Sequence, residues 1–183
     1  MRILTFGQAR SSAFDCVEWT ALEPSVTWDD VQRGGYAHDV YRARFSGDFD
    51  AAATALLFYR VFPAHRMAAR VCTPDRRITV GATIVQRILL GPIALETAVR
   101  VIEVERRTER VSFTYATLVG HAERGIASFA VVREAAQASF EAEVWSRTGH
   151  WLTTLGRPVS RSLQRAFTQE AVRAFCDTAN KAG

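Results

Sequence analysis

From Met67 to Arg147 the sequence reads as six successive strand-forming segments joined by short links. The segments are Met67–Thr73, Thr79–Leu90, Ile93–Arg106, Arg110–Leu118, Gly125–Arg133 and Ala138–Arg147. Pro74-Asp75, Gly91-Pro92, Thr108-Glu109, Gly120–Gly125 and Glu134–Gln137 punctuate them. A parallel crossover needs about a dozen residues, so neighbours in this run pair antiparallel, as a meander.

What flanks the meander narrows the fold further. Tyr36–Phe45 alternates as a strand, Ser46-Gly47-Asp48 supplies a turn and an N-cap, and a helix follows from Phe49. Its apolar face is Phe49, Ala52, Ala53, Leu56 and Leu57, and Pro63 ends it. From Trp151 to Ala179, the residues Leu152, Leu155, Val159, Leu163, Phe167, Ala171 and Phe175 recur at helical steps. Arg161, Arg165, Gln169 and Arg173 lie off that stripe, and Gly156 and Pro158 kink or divide its start. The order is strand, helix, six-stranded antiparallel meander, long C-terminal helix. A sheet curved around that helix buries every apolar face, which is an α+β helix-grip architecture enclosing a cavity. Residues 1–35 hold no lasting period and predict an irregular arm whose Trp19 and Trp28 cover one end of the core. The chain reads as one domain over 1–183, with sheet and helices in 36–179.

The densest chemistry lies between Arg110 and Val132. If Leu118 pairs with Gly125, Tyr115 faces Ser128, Phe113 faces Ala130 and Thr114 faces Phe129. The turn between these strands sets His121, Glu123 and Arg124 between two glycines. They could position a ligand carboxylate or pass a proton. We prefer a structural role, with Arg124 and Glu123 bracing the turn, because no nucleophile or third partner accompanies them.

Side-chain alternation gives the remaining candidates. If Ile102 and Val104 face inward, so do Glu96, Ala98 and Arg100; Ile84 and Ile88 likewise bring Gln86. Tyr115 and Ser128 join them if Phe113 is inward. A charged group facing a core must be paired or line a wet cavity. Gln86, Glu96, Arg100, Tyr115 and His121 are therefore the candidate ligand-binding residues, with Arg100 meeting the ligand's anionic or carbonyl end. The alternative places Glu96 and Arg100 at the rim of a twisted sheet.

Other chemistries find little support. His38, His65, His121 and His150 are scattered, without metal-ligand spacing, and no phosphate-cradling or nucleophile-elbow motif occurs. No metal, no cofactor and no catalytic residue is assigned. Lys181 is the only lysine, so arginine carries the basicity, yet the arginines form no basic helix face and nucleic acid is not an expected partner. No apolar run reaches the roughly 18 residues that span a bilayer, and the first residues lack signal-peptide features. Cys16, Cys72 and Cys176 are odd in number and unpatterned, which reads as reduced thiols in a cytoplasmic protein.

The run Gly120-His121-Ala122-Glu123-Arg124-Gly125, preceded by Phe113-Thr114-Tyr115-Ala116-Thr117-Leu118, resembles the uncharacterised domain-of-unknown-function family nineteen-ninety. Gly35-Tyr36 through Arg44, Phe62-Pro63, Val80-Gly81-Ala82, Arg100-Val101, Ser146-Arg147 and Leu163-Gln164-Arg165 support it, over roughly Gly35 to Phe175. The resemblance implies a relative of the Bet v 1-like, START-like superfamily and brings no established activity. The leading functional reading is a binding module for a small hydrophobic or amphipathic molecule, as monomer or homodimer. Two others stand beside it. One is a cyclase- or hydratase-like enzyme with Tyr115, Glu96 or His121 as acid or base; the other is an interaction protein with a filled core.

Overall fold

Alternating apolar residues and short turns build a single antiparallel sheet with helices on both of its sides. The computed structural model describes residues 1–121, 123–135, 137–148 and 157–181, with 148, 157–164 and 181 described in backbone alone. In chain order the elements are β1 (Arg2–Thr5), α1 (Phe6–Ser11), α2 (Cys16–Thr20), α3 (Trp28–Gln32), β2 (Ala37–Phe45) and α4 (Phe49–Leu57). There follow β3 (Met67–Val71), β4 (Thr83–Leu90), β5 (Ile93–Arg107), β6 (Arg110–Thr117), β7 (Glu123–Arg133), β8 (Ala138–Thr148) and α5 (Arg157–Lys181). From β2 onward this is the predicted order. The strands lie side by side as β2-β8-β7-β6-β5-β4-β3, and β1 pairs with β5.

The concave face holds the main core. Asp48 caps α4 by accepting from the Ala51 N–H, and the helix buries Phe49, Ala52, Ala53, Leu56 and Leu57 against the sheet. Helix α5 buries Ala171, Val172, Phe175, Cys176 and Ala179, and Phe175 stacks on Phe140 with centroids 4.2 Å apart. Gly47 admits α5, because a Cβ there would overlap the Ala179 carbonyl. Phe167 stacks on Phe62 at 5.2 Å, whereas Trp151, Leu152 and Leu155 lie outside the described residues, as do the side chains of Val159 and Leu163.

The pairing of β6 with β7 is one residue away from the predicted register. Phe113 lies opposite Phe129, Tyr115 opposite Ala127 and Thr114 opposite Ser128. This register is the one that puts Phe113, Ala127, Phe129 and Val131 together in the core; the predicted one would send one strand's apolar set outward. Ser128 accordingly lies on the outer face, where its Oγ accepts from the Thr114 hydroxyl.

A second departure sits in β5. The ladder with β6 shifts between Val101 and Glu103, a bulge that inserts one residue. Val101 and Val104 therefore both reach the concave core, while Ile102 packs with Val26, Ala116 and Ile126 on the other face. Before the bulge the alternation runs opposite to the prediction: Thr97, Val99 and Val101 face inward, and Glu96, Ala98 and Arg100 face outward.

The arm covers that outer face rather than an end of the core. Trp19 is buried with Val85, Ala98 and Leu118, and Trp28 packs edge-on to Trp145 at 4.8 Å. The arm contains one strand and three short helices. Cys16 of α2 is bonded to Cys72, just after β3, with Cα atoms 5.6 Å apart. This corrects the reading of three reduced thiols: residues 56 apart in sequence converge through the arm's fold, which spacing cannot reveal. Only Cys176 remains free. No helix among the described residues is long and apolar enough to cross a membrane.

Candidate functional site

The concave face carries a polar cluster that begins at the end of α4. The Tyr59 N–H donates to Leu56 O and the Arg60 N–H to Ala55 O, which closes the helix as a Schellman turn with Tyr59 in the left-handed position. Glycine normally fills that position, and Tyr59 adopts it with φ 57°. The strain carries the phenol under the sheet, among Phe62, Phe113 and Tyr115 at 5.7, 5.8 and 6.5 Å between centroids. There Gln86 Nε2 donates to Tyr59 Oη at 2.5 Å, and the two tyrosine hydroxyls bond each other.

Burial governs the ionisation of this cluster. It raises the Tyr59 phenol far above its usual range, and it pushes Tyr115 up to about 12. Both therefore stay neutral hydroxyls that can donate and accept. Thr97, directly opposite Gln86 on β5, is buried with a hydroxyl that has no partner among the described residues. Tyr115 is half-buried, as are Tyr41, Phe62, Ile88, Val104, Val144 and Phe167 around the same face. The inner surface thus combines aromatic and aliphatic walls with a few convergent polar groups.

Glu123 stands at the turn end of this face. It shares strand parity with Ala127, Phe129 and Val131. Its carboxylate has no hydrogen-bond or ion-pair partner among the described residues, and burial pushes its pKa up to about 7. Its charge in turn disfavours ionisation of Tyr115. His121, beside it, accepts the Glu123 N–H on Nδ1 at 3.0 Å, and burial pushes the imidazole down to about 4. The ring is therefore neutral at pH 7.

Arg124 does brace structure, but not through Glu123. It donates to Ser25 O of the arm on the outer face. The neighbouring Gly125 N–H is taken by Thr117 Oγ1 at 3.0 Å, and a Cβ on Gly125 would overlap the Trp145 carbonyl.

Of the five predicted site residues, Gln86 and Tyr115 come together and His121 lies at the turn. Glu96 and Arg100 are on the opposite side, and the bulge in β5 is the reason. Glu96 is paired with Arg87 at 2.6 Å beneath the arm, where Trp19 and Arg2 also reach it. Arg100 donates to Thr20 O and Leu22 O at 2.8 and 2.9 Å. Both residues hold the arm, and neither borders the concave face. Tyr59 is the residue that sequence reasoning missed. It continues the α4 stripe Phe49, Ala52/Ala53, Leu56 by one more turn, which is the signal that could have found it. For Glu123 the sequence admits a proton-carrying role and favours a bracing one.

No curated protein matches the chain in sequence. Solved structures match in fold alone. A hypothetical protein of Helicobacter pylori has TM-score 0.59 at 8% identity, over 79% of this chain and 88% of that one. Ara h 8.0201 gives 0.55 at 8% identity, over 79% and 98%, and the major latex-like protein 151 of Panax ginseng gives 0.52 at 11%, over 78% and 99%. The di-domain ARO/CYC StfQ of the steffimycin biosynthetic pathway gives 0.58 at 11%, over 80% of this chain and 51% of that one. The architecture is therefore the helix-grip fold of Bet v 1-like proteins and cyclases. Residues 23–174 match one family, and on that match the chain belongs to the family described as domain of unknown function DUF1990.

Proposed function

We propose that the protein binds a small, mostly apolar molecule between the concave face and α5. The observation that carries this reading is Tyr59, a non-glycine residue held in a left-handed turn so that its hydroxyl meets Gln86 and Tyr115. A filled core gains nothing from that arrangement. It takes on backbone strain of about 1–2 kcal/mol and three polar side chains where leucine and phenylalanine would pack. A ligand that exchanges hydrogen bonds with the cluster explains both. Native mass spectrometry of the purified protein, alone and with added 1-naphthalenemethanol, tests it. An adduct is expected, and Tyr115→Phe should weaken the naphthalenemethanol complex about tenfold, the value of one buried hydrogen bond. Absence of any adduct, and of calorimetric binding, would reject the reading.

Glu123 favours a second reading, an enzyme of the cyclase or hydratase kind. A carboxyl that burial pushes up to about 7, within electrostatic reach of a neutral phenol, is suited to proton transfer at physiological pH. Glu96 and Arg100 have no part in it, since both hold the arm on the other face. Turnover lost in Glu123→Gln with binding retained would select this reading over simple binding.

A further inference from the structure

Across much of the sheet, arginines are balanced by carboxylates: Arg42 and Arg44 share Glu134, and Arg107 and Arg110 share Glu105. The surface where the end of α4 meets the β3–β4 connection and the end of β5 is different. There the Cζ atoms of Arg60 and Arg77 lie over the Phe58 ring, 5.7 and 6.0 Å from its centroid. The Ile78 N–H donates to Leu57 O, and Arg106 Nη2 donates to Ile78 O at 3.1 Å, which brings a third guanidinium to the same surface. The turn that carries Arg77 is held by its own bonds: Thr73 Oγ1 donates to Arg77 O at 3.0 Å, and Asp75 Oδ1 accepts the Arg77 N–H at 3.1 Å. Arg60 and Arg106 are exposed, and Arg77 is half-buried with an Nε that has no acceptor among the described residues. None of the three has an ion pair among the described residues, which include every Asp and Glu side chain of the sequence. Three like charges so gathered repel one another until a counter-charge arrives.

We infer that this surface docks an acidic segment of a partner protein, whose carboxylates pair with Arg60, Arg77 and Arg106. The inference is independent of the ligand site on the concave face. Each guanidinium has its own anchor, a ring for Arg60 and Arg77 and a carbonyl for Arg106, so the charges stand as separate points. A chain bearing several carboxylates matches separate points better than one phosphate does, and each planar fork suits a carboxylate. Half-buried Phe58 among the arginines, with Val80 63% exposed three residues after Arg77, offers apolar contact of the kind protein interfaces use. A single-stranded nucleic acid needs an open aromatic face for its bases, and guanidinium already covers the Phe58 ring.

The test is fluorescence anisotropy with the full chain at about 50 mM salt, where screening is modest. The labelled probes are a peptide alternating glutamate and leucine, its glutamine counterpart and an oligothymidylate; vesicles containing phosphatidylserine are followed by co-sedimentation. The glutamate peptide should bind at least tenfold tighter than the glutamine peptide and weaken steadily as salt rises. Arg60→Gln combined with Arg77→Gln should weaken it at least tenfold. Arg10 in α1 and Arg173 in α5 also stand outside any ion pair among the described residues. Arg10→Gln combined with Arg173→Gln removes the same charge and should change the affinity less than twofold. The comparison of the two peptides stands even if a variant fails to fold. Equal losses in the two double variants would overturn the inference, because net charge alone would then account for binding. Equal binding of the two peptides, or of neither, would overturn it too. Tighter binding of the oligothymidylate or of the vesicles than of the glutamate peptide would replace the acidic segment with a nucleic acid or a membrane.

Discussion

Arg87 and Glu96 face each other across β4 and β5 at 2.6 Å, both about 97–98% buried under the N-terminal arm. The guanidinium is fully used. Its Nη atoms donate to Ala9, Ser12 and Ala13 carbonyls, and the Phe14 ring lies 4.0 Å from Cζ. Removing one member of such a pair strands the other charge, at a cost of about 3–5 kcal/mol. Arg87→Met should therefore lose that much in urea denaturation and free the first 20 residues to proteolysis. A loss below about 1 kcal/mol would show that the arm does not depend on this pair.

The disulfide gives a second expectation about the arm. Denatured, unreduced protein should show one reactive thiol, Cys176, and three after reduction. Cys16→Ser should cost about 2–4 kcal/mol, given the length of chain the bond closes. Three thiols in protein purified under non-reducing conditions would refute the cross-link.

Gly47 makes a sharper mutational probe of helix docking than any core residue. Gly47→Ala must push the end of α5 off the sheet, since the Ala179 carbonyl occupies the Cβ position. A loss of about 1–3 kcal/mol is expected in thermal or urea melts. Gly7→Ala in α1 is the control, because nothing lies within 4 Å of a Cβ there. Equal effects at the two positions would contradict the docking geometry.

Glu123 and His121 should shape stability against pH in opposite directions. Burial raises Glu123 from 4.5 to about 7, so the folded state holds the proton that the unfolded state releases. Its contribution is intact below pH 4.5 and is lost as pH rises through about 7. His121 falls from 6.5 to about 4, so its contribution is intact above 6.5 and lost as pH falls through about 4. Between pH 4.5 and 6.5 the two slopes oppose each other. Glu123→Gln should leave a melting temperature that climbs across this window, and His121→Gln one that declines. Identical pH profiles in both variants would contradict the burial of these groups.

The limits of sequence reading fall at identifiable residues. Alternation and turn chemistry located β2 to β8, α4 and the described part of α5, because β-type runs between turn residues and a helical apolar stripe are written locally in the sequence. Gln86 and Tyr115 were legible by parity with Ile84, Ile88 and Phe113. The same logic failed for Glu96 and Arg100, since one bulged residue near Ile102 reverses the face of everything before it and leaves no mark in composition. The β6–β7 register slipped for a related reason: a turn with two glycines fits more than one loop length. The arm's route was illegible because its order comes from long-range groups, the Cys16–Cys72 bond and the Arg87–Glu96 pair, rather than from periodicity. Tyr59 was hidden by its place in a turn, outside the strands where parity applies.

The short strand β1 has a consequence of its own. Strand β5 runs past the end of β6, and its first residues, Ile93–Glu96, find their second neighbour in Arg2–Thr5. Without those residues the sheet would present a bare rung of amides and carbonyls, flanked by the exposed side chains of Leu90 and Ile93. The opening residues thus act as a built-in stopper against strand exchange between molecules. A chain trimmed by five residues should join its neighbours edge to edge as concentration rises.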